Sequence, residues 1–183
     1  MLIRVFIAIE FEEQIKKYLW DIQQVLKENS IKGNFTNKDN FHLTLKFIGN
    51  VQINALETLK KSIDKVTKNG KSFALLFEKI GRFQREQKSI VWVGLKKNKI
   101  LEALHDQLEN ILVKEGYPKE QRKFRPHITL GREVLFQSDF EKLQKIIEIK
   151  SQEIWVNKIS LMESTRINGK LEYIPIYIKY FER

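Results

Sequence analysis

Two of the three histidines in this chain open the same four-residue pattern, His42-Leu43-Thr44-Leu45 and His127-Ile128-Thr129-Leu130. Imidazole titrates close to neutrality, so it can take or give a proton under physiological conditions. A threonine hydroxyl beside it can donate to an oxygen that gains charge. Two such units facing each other would form an acid–base pair with hydroxyl donors for a charged oxygen. The chain holds six threonines, so two of three histidines meeting one two residues later is a chance event on the order of a few in a thousand. A single histidine on a strand face is usually a partly buried structural residue. The duplication is what turns the reading toward chemistry.

Such groups need a rigid support, and both copies sit in apolar runs that read as strands, residues 41–48 and 124–130. Side chains alternate between the faces of a strand. Alternation puts His42, Thr44 and Lys46 on one face and Phe41, Leu43, Leu45 and Phe47 on the other, toward a core. Likewise His127 and Thr129 share a face opposite Ile128 and Leu130. Around them, residues 2–9 read as a first strand and 12–28 as an amphipathic helix carrying Ile15, Leu19, Ile22 and Leu26. Residues 29–40 are polar and read as a loop, and Gly49-Asn50 as the end of the first motif strand. A second helix spans Ile53 to Val66 and closes at Asn69-Gly70. Strands at 72–80 and 89–95 are joined by a linker over 81–88, and a third helix covers 98–115. His105, on that helix, lacks the motif and reads as a surface or boundary residue. A short helix at 139–147 and strands at 152–164 and 171–181, turning at Asn168-Gly169, complete the chain.

Helices and strands interleave, yet the strands alternate polar with apolar, as sheets with one open face do. The fold class read here is α+β with antiparallel sheets. At 183 residues the chain fits one domain, or two small lobes sharing a core. It has no apolar run near the ~20 residues that cross a bilayer, and its first nine residues are too short and too soon followed by acids for a signal peptide. With no cysteine it has neither disulfides nor thiolate metal sites, which fits a reducing, cytoplasmic setting. Net charge is +10, which favours an anionic partner such as nucleic acid or phosphate. That inference is weakened because 25 of the 33 basic residues are lysine, a bias an AT-rich genome can produce. There is no phosphate-cradling glycine loop, no HExxH, and no acidic cluster beside either motif.

The paired His-x-Thr-x motifs resemble those of the 2H phosphoesterase superfamily, and within it the RNA 2′,3′-cyclic phosphodiesterases once described as 2′-5′ RNA ligases. The likeness runs through Arg4-Val5-Phe6-Ile7-Ala8-Ile9, Phe41 to Gly49, Gly81-Arg82-Phe83, Val91-Trp92-Val93-Gly94, Arg125 to Arg132, Leu161-Met162-Glu163-Ser164, Gly169 and Tyr173. It implies a single bilobed domain over residues 1–183, with two antiparallel sheets flanking a central cleft, helices outside and an approximate two-fold axis. It implies His42 as proton donor and His127 as proton acceptor, with Thr44, Thr129 and Arg132 holding the substrate phosphate. Strict alternation puts Arg132 on the face opposite His127, so the strand must end or bulge at Gly131. The implied partner is RNA or an oligoribonucleotide ending in a 2′,3′-cyclic phosphate, with no cofactor, no metal, no membrane and no obligate protein partner, the chain acting as a monomer.

Other readings stay open on sequence alone. They are a second activity of the same superfamily (a 2′-5′-linked oligonucleotide phosphodiesterase or an RNA ligase), a metal hydrolase, and a non-catalytic RNA-binding module. Lys119, Arg122, Lys123 and Arg125 fit an RNA backbone or a solvated loop equally. Phe47 and Trp92 fit base stacking, though core packing is the commoner fate of such residues.

Overall fold

The protein is described by a computed structural model covering residues 1–182. Among these are nine strands and four α-helices. In chain order they are β1 (Leu2–Glu10), α1 (Glu13–Glu28), β2 (Ser30–Phe35), β3 (His42–Gln52), α2 (Leu56–Thr67), β4 (Phe73–Arg85), β5 (Lys88–Leu95) and α3 (Lys99–Lys114). Then follow β6 (His127–Phe136), α4 (Phe140–Ile146), β7 (Glu153–Val156), β8 (Lys158–Ile167) and β9 (Lys170–Tyr180). Two sheets form, in the orders β3-β1-β8-β9 and β2-β6-β5-β4-β7, and the pairings are antiparallel. The α+β class and the two sheets agree with the sequence.

The first order has a counterpart in the second, β6-β5-β4-β7, with β2 added beyond β6. Each motif strand, β3 or β6, therefore occupies the same place in its half. Helices α1 and α3 correspond as well, each lying between the strand that pairs with the motif strand and the motif strand itself.

Alternation divides each sheet into a packed and an open face. On β1, Val5, Ile7 and Ile9 enter one continuous core with Leu19 and Leu26 of α1, Leu59 and Ile63 of α2 and Leu108 and Leu112 of α3. That core also holds Val91 and Val93 of β5 and Ile128 of β6, so both sheets share it. Fully burying one such side chain contributes about 1.5–3 kcal/mol. The opposite face of the first sheet carries a separate small cluster of Phe6, Ala8 and Met162, with Tyr173 against it.

Four departures from the sequence reading concern strands. Residues 30–35 are not loop but the edge strand β2, mostly solvated and paired with β6. The linker over 81–88 is mostly strand, because β4 and β5 run on to a two-residue turn at Glu86-Gln87, where Glu86 has a φ of 54°. The stretch 152–164 is two strands in different sheets, β7 beside β4 and β8 beside β1, divided at Asn157. The first motif strand also continues past Gly49-Asn50. Gly49 takes a φ of 93° beside Ile48, which the pairing with β1 skips. Glycine accepts that conformation without steric cost.

Candidate active site

Both motif strands break register at the same residue. In β3, Thr44 pairs with Ala8 and Lys46 with Ile7, which leaves Leu45 unpaired. In β6, Thr129 pairs with Trp92 and Gly131 with Val91, which leaves Leu130 unpaired. Each is a β-bulge at the fourth residue of its motif. Both leucines are buried, so the bulge keeps them in the core while reversing the alternation that follows.

The reversal corrects two expectations for β3. Lys46 does not share the face of His42; it is buried, 2.7 Å from Glu109 of α3. Phe47 does not enter the core; it is 64% exposed and lies 6.1 Å from Phe6 on the open face. In β6 the same reversal removes the difficulty over Arg132, one residue earlier than the Gly131 position named from sequence. Arg132 is exposed and acts electrostatically on both His42 and His127.

The two imidazoles are anchored alike. His42 Nδ1–H donates to the Asn40 carbonyl at 2.7 Å, and His127 Nδ1–H to the Arg125 carbonyl at 2.6 Å. A carbonyl only accepts, so Nδ1 carries the proton and Nε2 of the neutral ring is the basic nitrogen. Each ring is also flanked by two aromatics. His42 lies 4.8 Å from Phe6 and edge-on to Tyr173 at 5.1 Å; His127 lies edge-on to Phe83 at 5.2 Å and 6.1 Å from Trp92. Trp92 lies flat on Gly81, where a Cβ would come within 2.2 Å of the indole. Trp92 is thus half-buried on the open face rather than in the core.

The hydroxyls differ between the halves. Thr44 Oγ1 is 2.8 Å from His42 Nε2, whereas no hydrogen bond joins Thr129 to His127 among the described residues. Both threonines are half-buried beside their histidines.

Burial pushes the His42 ring down to about 4, aided by the positive charge of Arg132 and by His127, and opposed by the Asn40 carbonyl and Glu10. Burial likewise lowers His127, again with Arg132, against the Arg125 carbonyl. Arg132 acts on both rings and His127 on His42, so the three groups lie within electrostatic reach at the seam where β3 meets β6. Both shifts favour the neutral ring in the free protein.

Several residues here escaped the sequence reading. Asn40, in the stretch read as loop, is buried; its side chain donates to the Leu171 carbonyl at 2.8 Å and accepts from Tyr173 N–H at 3.1 Å. It thereby fixes the carbonyl that orients His42 to the strand carrying Tyr173. Both partners lie in β9, far along the chain, so no local signal marks Asn40. Glu10, opposite His42 in the ladder, is bonded to Ser160 and 3.9 Å from Lys158. His105 is not on the surface: it is 8% exposed and stacked on Phe124 at 3.8 Å, away from the motif pair. Lys119, Arg122, Lys123 and Arg125 are exposed. Among the described residues no cluster of three His, Cys, Asp or Glu side chains is arranged to hold a metal ion, and no helix is long and apolar enough to cross a membrane.

Residues 13–168 match the sequence model of the 2′-5′ RNA ligase superfamily. The chain belongs to that superfamily. A relative from Methanocaldococcus jannaschii, an RNA 2′,3′-cyclic phosphodiesterase, is 31% identical over 95% of this chain and 96% of its own. One of the same name from Thermotoga maritima is 29% identical over 98% and 96%. Among solved structures, E. coli LigT complexed with 3′-AMP superposes over the whole of both chains with a TM-score of 0.83 at 23% identity. TT0787 of Thermus thermophilus gives 0.81 at 18% identity over 97% of each. At these identities the structures establish the shared fold.

Proposed function

We propose that this superfamily member hydrolyses RNA 2′,3′-cyclic phosphate ends to 2′-phosphomonoesters, using His42 as proton donor and His127 as proton acceptor without a metal. The observation that carries the reading is the matched anchoring of two imidazoles, each with a basic Nε2, around one guanidinium. The names of the relatives at 29–31% identity support the same substrate class. The core shared by both sheets supports one bilobed domain.

Opening the cyclic diester with water forms one P–O bond and breaks the bond to the 3′-oxygen. His127 Nε2 takes the proton from the attacking water, and the proton on His42 Nε2 goes to the departing 3′-oxygen. The products are a 2′-phosphate and a 3′-hydroxyl, with the proton returned through solvent. His42 must be protonated first, and an anionic phosphate beside it favours that form. When the 3′-oxygen becomes the partner of Nε2, Thr44 is released to donate to a non-bridging oxygen, and Thr129 does so from the other side. Arg132 supplies a planar fork suited to the same oxygens. Donors of this kind are typically worth ~10²–10³ in rate each.

The test is incubation with a short oligoribonucleotide ending in a 2′,3′-cyclic phosphate, in excess chelator, with the product mapped by phosphorus NMR. The expected product is the 2′-phosphate, and His42→Ala or His127→Ala should lower turnover by about 10²–10⁴-fold. A 3′-phosphate product, dependence on added metal, or RNA binding without turnover would each contradict the reading. A substrate with sulfur at the 3′ position separates the roles, because a thiolate leaves without an acid. It should restore His42→Ala and leave His127→Ala impaired.

A further inference from the structure

Helices α1 and α3 each bury a polar side chain in the middle of an apolar face, and α3 buries His105 as well. Gln23 is the eleventh residue of α1, fully buried among Leu19, Ile22 and Leu26. Glu109 is the eleventh residue of α3, 2% exposed beside Leu108 and Leu112. A leucine at either place would continue the stripe. Neither polar group touches the reacting histidines, so its use lies elsewhere.

Their bonds have the same crossed pattern. Gln23 Nε2 donates to the carbonyl of Leu130 at 2.7 Å and to that of Thr36 at 2.8 Å. Leu130 is the skipped residue beside His127, and Thr36 lies in the segment that leads into His42. The Glu109 carboxylate accepts from Glu120 N–H at 3.0 Å and pairs with Lys46 Nζ at 2.7 Å, and Lys46 also donates to the Pro118 carbonyl at 2.8 Å. Lys46 directly follows the skipped Leu45 beside His42, while Pro118 and Glu120 lie in the segment that leads into His127. Each helix thus ties the approach to one histidine to the bulge beside the other.

We propose that Gln23 and the Lys46–Glu109 pair are positioning residues that set the separation of the two imidazoles, a role that rests on the two-histidine chemistry proposed above. Stability alone does not call for them. A buried ion pair is often matched or bettered by apolar residues of similar volume, and Gln23 leaves its own Oε1 buried without a partner to aim Nε2 at the two carbonyls. What the polar groups supply is direction. Carbonyls and an ammonium fix distances between segments that apolar contact would let slide. Acid and base on opposite sides of one phosphorus tolerate little sliding, since a displacement of about 1 Å costs about 10²-fold in rate.

Two variants test this, Gln23→Met and the double change Lys46→Met with Glu109→Met. Methionine keeps the volume and apolar face while removing the grip. Both should still fold, with melting temperatures lowered by the bonds lost at the Thr36 and Pro118 carbonyls and the Glu120 N–H, yet kcat on the cyclic-phosphate oligonucleotide should fall about 10²-fold with KM changed less than about threefold. Ring-nitrogen NMR gives a readout that needs no turnover. Gln23→Met should move the His42 and His127 signals and leave that of His105 in place. Folded variants with wild-type kcat, or unmoved His42 and His127 signals, would overturn the proposal, and unfolding of both variants would assign the groups a structural role instead. Should the wild-type chain fail to hydrolyse the cyclic end, the proposed function falls, and the ring signals still decide the positioning claim.

Discussion

Phe47 and Arg132 stand at the same distance past their histidines, five residues on, each turned by a skipped leucine. At equivalent places in the two halves, one offers an exposed aromatic ring and the other a cation. A symmetric frame therefore holds an asymmetric pair. In the proposed reaction Arg132 would hold the charged phosphate and Phe47 would stack on an unstacked base.

The two should separate in kinetics. Arg132→Lys keeps the charge and loses the planar fork, so kcat should fall, by roughly 10-fold or more. Phe47→Ala removes stacking worth about 1–3 kcal/mol, which binds substrate and transition state alike, so KM should rise with kcat nearly unchanged. Steady-state rates on a short cyclic-ended oligonucleotide check both.

Gly81→Ala should damage the site from beneath. The added methyl would sit within 2.2–2.7 Å of three Trp92 ring atoms, and Trp92 flanks His127. The indole must move, and His127 loses its wall. Activity should drop by an order of magnitude or more, while Gly116→Ala, a site with open space around it, should affect stability through its positive φ and not activity.

Asn40→Ala should cost both stability and rate. It leaves the Leu171 carbonyl and the Tyr173 N–H without their partner, a loss of about 1–3 kcal/mol per buried group. The carbonyl that orients His42 loses its tether to β9 at the same time. Thermal melts and kcat measured on the same preparation should fall together.

Acid should weaken the fold partly through His42. Its folded value is about 4 against an ordinary 6.5, chiefly from burial. The unfolded chain therefore binds this proton first as pH falls, so the contribution is fully present above 6.5 and is lost on the way down to about 4. His42→Phe lacks that proton site. Its melting temperature should decline less than the wild type between pH 7 and about 4, and parallel declines would contradict the assignment.

Much of this was legible in the chain. Helices α1 and α3 follow from Ile15, Leu19, Ile22, Leu26 and from Leu101, Leu104, Leu108, Leu112, because burial of one stripe forces the helical period. The paired motifs pointed to His42 and His127 because two imidazoles in matching strands are a rare coincidence. Lys46 and Phe47 were placed on the wrong faces because period-two alternation holds only without a bulge. Nothing local in His42-Leu43-Thr44-Leu45 announces the skipped leucine; it follows from the pairing with β1. Strand β2 was missed because a solvated edge strand such as Ser30–Phe35, polar and broken by Gly33, carries no apolar period. Gln23, Asn40 and Glu109 were invisible for a different reason. Their partners lie 107, 131 and 11 residues away, and only the fold brings them together.

The pH dependence of kcat/KM, set beside that of kcat, reaches the central claim most directly. The proposed mechanism needs one ring charged and one neutral, and both rings are depressed in the free protein. The profile of kcat/KM, which reports the free enzyme, should be a bell centred on the acid side of 6.5. Bound phosphate favours imidazolium, so the bell in kcat should lie at higher pH. Rates that climb steadily from about pH 5 to 9 in both profiles, with no descending limb, would contradict a pair of imidazoles working as acid and base on one phosphorus.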